Sequence, residues 1–271
     1  MGEKSKWSRT LGRLRILTIL LCLLLLLGWQ LERKLVFIPS TSWVQPLPTE
    51  ATELKFSSSD GSELSGAWFP AEKASAVIVY CHGNAGNISH RFGTARHWQQ
   101  QGWSVLLFDY RGYGRSQGFP SEEGMLADAR AATATARRLS GKNVVALGRS
   151  LGTVPAVALA AEDEVCGLIL DSPLLDGPTM AKAIMPLPGI DLLMQMELDN
   201  SGKMGSVTCP LLLLHGDADR VVPYEQGAEL YRLAPEPKQL VKIPGGKHND
   251  SRQSGIAFEA IKDFLTELAK N

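Results

Sequence analysis

The residues that most constrain this chain run from 143 to 157, Asn-Val-Val-Ala-Leu-Gly-Arg-Ser-Leu-Gly-Thr-Val-Pro-Ala-Val. Val144 to Leu147 read as a short buried strand, and the Ala-rich segment after Gly152 reads as a helix. Gly148-Arg149-Ser150-Leu151-Gly152 must therefore turn the chain between the two. A turn this tight strains its central residue, and flanking residues without side chains let neighbouring backbone pass close by. Ser150 is then lifted clear of the sheet, with the leading amides of the helix pointing at whatever approaches it. The same five residues also suit a structural turn that happens to carry a serine. The rest of the chain has to decide between the two.

Strand and helix patterns alternate on both sides of that turn. Thr52 to Phe56 and Leu64 to Phe69 read as a hairpin around Ser-Ser-Asp-Gly-Ser. Buried strands follow at Ala76 to Tyr80, Trp103 to Phe108, Val144 to Leu147, Val165 to Leu170, Leu211 to Leu214 and Gln239 to Ile243. Helical patterns lie between them, and a last one covers Ala257 to Ala269. The alternation predicts an α/β fold: a mainly parallel sheet with helices on both faces. One domain over 51–271 accounts for all of it, and a hydrophobic content of 44% supplies a sizeable core. Lys plus Arg equals Asp plus Glu, 28 each, with no basic stripe and no zinc-like cysteine spacing. That balance argues against a nucleic-acid partner and a structural metal. Cys81, Cys166 and Cys209 fall in or beside apolar runs and read as buried free thiols.

The N-terminus has a different character. Lys4, Lys6, Arg9, Arg13 and Arg15 form a cationic flank over 1–15, and a leucine-rich, charge-free run follows over 16–31. The run is short for a bilayer, which wants about 20 residues, and would also suit the central region of a signal peptide or a buried helix. The bulky Trp29, Gln30, Leu31, Glu32 and Arg33 offer no small-residue cleavage site. The preferred expectation is an uncleaved single-pass anchor, N-terminus cytoplasmic and the rest of the chain extracytoplasmic, in a periplasm or lumen. Residues 32–50 form a Pro-containing connector whose Phe37, Ile38 and Trp43 favour packing over free swinging.

Chemistry in such sheets collects where strands end and helices begin. The Ala76 strand ends in Cys81-His82-Gly83-Asn84-Ala85-Gly86-Asn87, where the backbone N–H of Asn84 can join that of Leu151 in an oxyanion hole. The Asn84 side chain equally suits a loop cap. A serine needs a base, and the base an orienting acid. Of the five histidines, His90 and His97 fall in a helix while His82 and His215 sit in His-Gly turns. His248 remains, in the glycine loop Pro244-Gly245-Gly246-Lys247-His248-Asn249-Asp250 after the last strand. For the acid, His215-Gly216-Asp217-Ala218-Asp219 offers two aspartates. Asp219, deeper in the loop, is preferred, Asp217 reads as a turn former, and Asp171 at the end of the Val165 strand is held in reserve. Asp109 to Ser116, with alternating glycines and aromatics, reads as a structural loop.

Taken together, His-Gly-Asn-Ala-Gly-Asn, Asp-Tyr-Arg-Gly-Tyr-Gly-Arg-Ser, Gly-Arg-Ser-Leu-Gly, His-Gly-Asp-Ala-Asp-Arg-Val-Val-Pro and Gly-Gly-Lys-His-Asn-Asp resemble the α/β-hydrolase fold serine hydrolases over about residues 35 to 270. The closest likeness is to the membrane-anchored, small-lid group related to α/β-hydrolase-domain thioesterases and depalmitoylases. The resemblance implies Ser150 as nucleophile, Asp219 as acid and His248 as base, with no cofactor. Lys247 departs from the small or apolar residue expected there. No N-terminal cysteine cluster is present, so cytosolic depalmitoylation in particular is not implied.

Residues 173–208 form the expected lid, holding five methionines from Met180 to Met204. Flexible thioethers suit an acyl chain or a bilayer contact as well as ordinary packing. Asn87-Ile88-Ser89 and Asn249-Asp250-Ser251 match a glycosylation pattern but flank the expected site, where a glycan would obstruct it. The expected activity is hydrolysis of an ester or thioester, small-molecule or lipid-like. An acyltransferase using the same three residues and a non-catalytic binding protein on a hydrolase fold are the alternatives.

Overall fold

The computed structural model describes residues 2–270, with the side chains of 2–14, 21, 24, 25, 252 and 253 outside the described set. The chain forms two units, Met1–Phe37 and Ile38–Asn271. The first is the helix α1 (Gly2–Val36), in which Arg33 lies over the Trp29 ring. Ile16, Leu17, Ile19, Leu20, Leu23, Leu26, Leu27, Leu31 and Leu35 are exposed along it. Lys4, Lys6, Arg9 and Arg13 of the expected cationic flank, and Leu21, Leu24 and Leu25 of the expected anchor, lie outside the described side chains. Among the described residues no helix is long and apolar enough to cross a membrane, so the anchor expected over 16–31 is not shown.

The second unit is built on eight strands: β1 (Thr52–Ser57), β2 (Glu63–Phe69), β3 (Ala76–Cys81), β4 (Ser104–Phe108), β5 (Asn143–Arg149), β6 (Gly167–Asp171), β7 (Leu211–Gly216) and β8 (Lys238–Ile243). Their order across the sheet is β8-β7-β6-β5-β3-β4-β2-β1. The β1–β2 and β2–β4 pairs are antiparallel and all others parallel. The parallel strands β3, β4 and β6 are buried at every position, as strands covered on both faces must be. Alternate residues face opposite layers. Ile78, Tyr80, Val145, Leu147, Leu212 and Leu214 point into a core shared with α2 (Phe92–Gln100) and α9 (Gly255–Leu268). The other face carries α3 (Glu122–Ser140), α4 (Thr153–Ala161) and α8 (Tyr224–Leu233).

Local signals explain where these elements start and stop. Ser121 accepts the Gly124 N–H and opens α3, Glu122 and Glu123 follow in its first turn, and Gly141 at φ +60° ends it. The single helix expected to carry both His90 and His97 divides instead. Asn87 caps a short 3-10 turn, Ile88–Arg91, before α2 begins at Phe92. Residues 38–50 pack on the sheet unit. Ile38–Pro39 pairs in parallel with Ala85–Gly86, and Trp43 meets Phe92 edge-on at 5.2 Å while the Arg115 guanidinium stacks on it at 3.8 Å.

Between β6 and β7 lie three short helices: α5 (Gly177–Ile184), α6 (Ile190–Leu193) and α7 (Ser201–Met204). Ile184, Leu187, Leu192 and Leu193 leave their side chains in solvent. The base of the excursion is tied down. Gly177 N–H donates to Glu197 O at 2.7 Å, and the Glu122 carboxylate accepts the N–H groups of Glu197 and Leu198 at 3.0 and 2.8 Å.

Candidate active site

The turn at Ser150 is as strained as its glycines imply. Ser150 sits at φ +50°, a left-handed conformation that costs a side-chain-bearing residue about 1–3 kcal/mol. A Cβ on Gly152 would lie 2.0 Å from the Cys81 carbonyl oxygen, and one on Gly148 would lie 2.6 Å from the Gly152 carbonyl oxygen. Both positions therefore have room only for hydrogen. Thr153 Oγ1 donates to the Ser150 carbonyl at 2.6 Å, and Asn200 Nδ2 donates to Thr153 Oγ1 at 3.1 Å, fastening the turn to the base of the β6–β7 excursion.

The structure brings Ser150, His248 and Asp219 together from three strand ends. His248 Nε2 stands 3.2 Å from Ser150 Oγ, and His248 Nδ1 stands 2.7 Å from Asp219 Oδ2. The carboxylate can only accept, so Nδ1 carries the proton. Nε2 then presents its lone pair to the serine hydroxyl. The Asp219 carboxyl is fully shielded from solvent. Its burial works against the charged form, but the His215 and His248 rings and the Val221 amide outweigh it and hold its pKa far below the usual carboxylate range. Asp219 Oδ1 accepts the N–H groups of Val221 and Val222 at 2.8 and 3.0 Å. His215 donates from Nε2 to the Val222 carbonyl at 2.9 Å, which fixes the far side of the same loop.

Asp217 shapes the glycine loop instead, accepting the Gly245 N–H at 2.6 Å. Asp171 turns away from the imidazole and is bound by Arg149 and Ser251. Leu151 lies in the 3-10 turn Ser150–Gly152 that precedes α4, where leading amides have no partner within the helix. The loop of Asn84 abuts the same turn, since a Cβ on Gly83 would lie 3.5 Å from Ser150 Cβ. The Asn84 carbonyl accepts from Ile38 N–H at 3.0 Å and from the Tyr113 hydroxyl at 2.8 Å, which sets the tilt of that segment. His82 is structural. Burial pushes its pKa down to about 3, and its Nδ1 donates to the Gly83 carbonyl at 2.7 Å.

Two residues beside the site carry roles that sequence reading missed. His215 read only as part of a His-Gly turn, and Arg149 was given no role. The signal for Arg149 was present: a cation closing a buried apolar strand must be paired, and Asp171 closes the neighbouring strand in register with it. A cavity of about 370 Å³ between α2 and α9 is lined by Tyr80, Trp98, Leu147, Asp171, Ser251 and Phe258 among others. Ser150 does not line it, so it is not where a substrate would meet that hydroxyl. Among the described residues no cluster of three His, Cys, Asp or Glu side chains could hold a metal ion.

The chain is similar to known proteins in sequence and in fold. The family model described as serine aminopeptidase, S33 matches residues 72–197, which include the Ser150 turn. The Escherichia coli (strain K12) protein YfhR is 34% identical, covering 84% of this chain and 85% of its own length. The human α/β-hydrolase domain-containing protein 17B is 31% identical, over 73% of this chain and 69% of its own. Among solved structures, the Pyrococcus furiosus esterase Pf2001 superposes with a TM-score of 0.71 at 21% identity, covering 87% of this chain and 97% of the esterase. Est1E from Butyrivibrio proteoclasticus, solved with ferulic acid bound, gives 0.67 at 21% identity, covering 80% and 100%. The chain belongs to the α/β-hydrolase family.

Proposed function

We propose that this protein is a serine hydrolase that cleaves a carboxylic ester or thioester through an acyl-enzyme intermediate. The observation that carries the reading is the hydrogen-bond chain from Ser150 Oγ through His248 to Asp219, with the serine at φ +50°. Ser150 Oγ attacks the acyl carbonyl while His248 Nε2 takes its proton. Ionised Asp219 stabilises the imidazolium so formed. The backbone N–H groups of Asn84 and Leu151 receive the oxyanion, each such donor being worth about 3–4 kcal/mol in comparable enzymes. His248 returns the proton to the departing alcohol or thiol, and water repeats the sequence to release the acid.

A lipid-like acyl group is the favoured substrate class, because the lid over 173–208 exposes Ile184, Leu187, Leu192 and Leu193. We further propose that α1 anchors the protein to a membrane, N-terminus cytoplasmic and hydrolase unit outside. The support is the exposed row from Ile16 to Leu35 together with the sequence's cationic flank. Retention in the membrane pellet after alkaline carbonate extraction, lost on deleting 1–31, is the expected result. Extraction of the intact chain into the supernatant would sink the anchor.

Fluorophosphonate labelling of the wild type against Ser150→Ala tests the chemistry. Losing such a nucleophile costs on the order of 10⁶-fold in turnover, so labelling and hydrolysis of activated esters both disappear. Equal labelling of the two proteins would remove Ser150 from its role. The aminopeptidase description of the matching family model gives amide cleavage as the second reading. Paired ester and aminoacyl-amide substrates with the same acyl group separate the two, and esters are expected to turn over faster.

A further inference from the structure

The loop that carries His248 is tied at its two ends, Gly245 N–H donating to Asp217 Oδ1 at 2.6 Å and Ala218 N–H to Gly246 O at 3.0 Å on one side, and Ser251 Oγ to Asp171 on the other. It follows two glycines, and its internal backbone bonds are confined to short turns, Gly246 N–H to Ile243 O and Asp250 N–H to Lys247 O, each at about 3 Å. Among the described residues, one side chain from the sheet reaches the main chain of His248 itself. The Arg149 guanidinium, only 4% exposed, donates through Nη2 to the main-chain carbonyl of His248 itself and, at 3.0 Å, to Asn249 Oδ1. Through Nη1 it donates to Asp171 Oδ2 and, at 2.9 Å, to Ser251 Oγ. Ser251 Oγ in turn donates to Asp171 Oδ2 at 2.8 Å. Arg149 precedes the nucleophile in the chain, and its planar fork spans from the end of β6 to His248 and the Asn249 and Ser251 that follow it.

We propose that Arg149 is a positioning residue for the proposed hydrolase reaction, fixing the His248 backbone so that Nε2 faces Ser150 Oγ, with Asp171 as the counter-charge that keeps the guanidinium aimed. The inference rests on the assignment of Ser150 and His248 above. The physical case is that a rigid five-donor group binds His248, Asn249 and Ser251 of one loop from a site almost closed to water. A lysine there can satisfy Asp171 or the His248 carbonyl, but not both with the same geometry. Asp171 thereby has a job that differs from that of Asp219: it orients the cation that orients the base.

The test compares the wild type with Arg149→Lys, Arg149→Met and the double variant Arg149→Met/Asp171→Leu. Arg149→Met alone strands a buried carboxylate and lowers stability. The double variant replaces the pair by apolar groups and is expected to recover the wild-type Tm. If Arg149 only stabilises the fold, the double variant also recovers full activity. If it positions His248, kcat on an activated ester and the fluorophosphonate labelling rate stay on the order of 10²-fold low, with KM nearly unchanged. Arg149→Lys falls between, and a double variant or a lysine variant with wild-type kcat overturns the proposal. Hydrogen exchange across 244–254 gives a readout independent of chemistry, and faster exchange in the folded double variant is expected. Should wild type itself fail to label, the Ser150 reading falls, and the exchange measurement still decides whether Arg149 holds the loop; unchanged exchange would refute it.

Discussion

The ends of β6 and β7 each deliver a buried aspartate to the loop of His248, yet the two carboxylates do different work. Asp219 meets the imidazole at 2.7 Å, with its other oxygen taken by two backbone amides. Asp171 meets a guanidinium and the Ser251 hydroxyl, touching the loop beside the histidine and not the ring. The difference is set by what stands next to each. Asp171 lies in register with Arg149 on the adjacent strand, whereas Asp219 lies three residues beyond its strand, on a turn closed by Val221, Val222 and His215. A strand-end carboxylate is captured by its cross-strand neighbour, and one carried past the strand end on a loop is free to reach across.

The sharpest break in that comparison is Asp219→Asn against Asp171→Asn. Losing the charge behind His248 is expected to lower kcat on the order of 10⁴-fold, because the imidazole loses both its tautomer preference and its counter-charge. Asp171→Asn leaves the imidazole's partner in place. Its main effect is expected in stability, a loss of about 3–5 kcal/mol from breaking a buried ion pair, with fluorophosphonate labelling of the folded fraction reduced far less. Steady-state kinetics and urea unfolding of both variants decide it. Equal kinetic losses would mean the two acids share one role.

Sequence reading reached much of this and stopped at identifiable places. The sheet was legible because parallel strands buried on both faces leave continuous apolar runs, and the Ser150 turn because Gly148 and Gly152 have room for no side chain. Choosing Asp219 over Asp217 and Asp171 rested on loop depth, and the geometry now gives each its partner. Arg149 was missed because, although a cation closing a buried strand implies a partner, its four partners come from positions 22 to 102 residues away and no local pattern says which they are. The split between the 3-10 turn at Ile88–Arg91 and α2 was missed for a related reason. It is set by the Asn87 cap and by Asp109 Oδ1 accepting the Ile88 N–H at 2.9 Å.

A smaller effect separates Asp219 from ordinary carboxylates in acid. Its folded pKa is depressed, so its contribution to stability is fully present above the unfolded value of about 4 and is lost as pH falls below it. In that window the unfolded chain binds the proton that the native site refuses. Thermal unfolding of wild type between about pH 5 and pH 2.5 is therefore expected to fall more steeply than that of Asp219→Asn. Parallel curves would mean that the carboxylate gains nothing from its neighbours.

The third strand-end aspartate, Asp109 after β4, extends the comparison to a carboxyl whose burial outweighs the Trp43 and Arg115 groups that act on it. It accepts the Ile88 N–H, and Nε2 of neutral His82 is 3.8 Å from its Oδ1, too far for a hydrogen bond. Burial pushes its pKa up to about 7. Because that value is raised, the native state keeps a proton that the unfolded chain has released. Its contribution therefore makes stability fall as pH rises from about 4 to about 7, opposite in sign to Asp219. His82, held neutral down to about pH 3, contributes a rising slope over an overlapping range, so the informative quantity is the difference between proteins. Asp109→Asn is expected to remove the falling component, leaving urea midpoints that climb more with pH between 5 and 7 than those of wild type. An unchanged slope would show that Asp109 is ionised in the native protein, and that the amides and the Arg115 charge around it outweigh its burial.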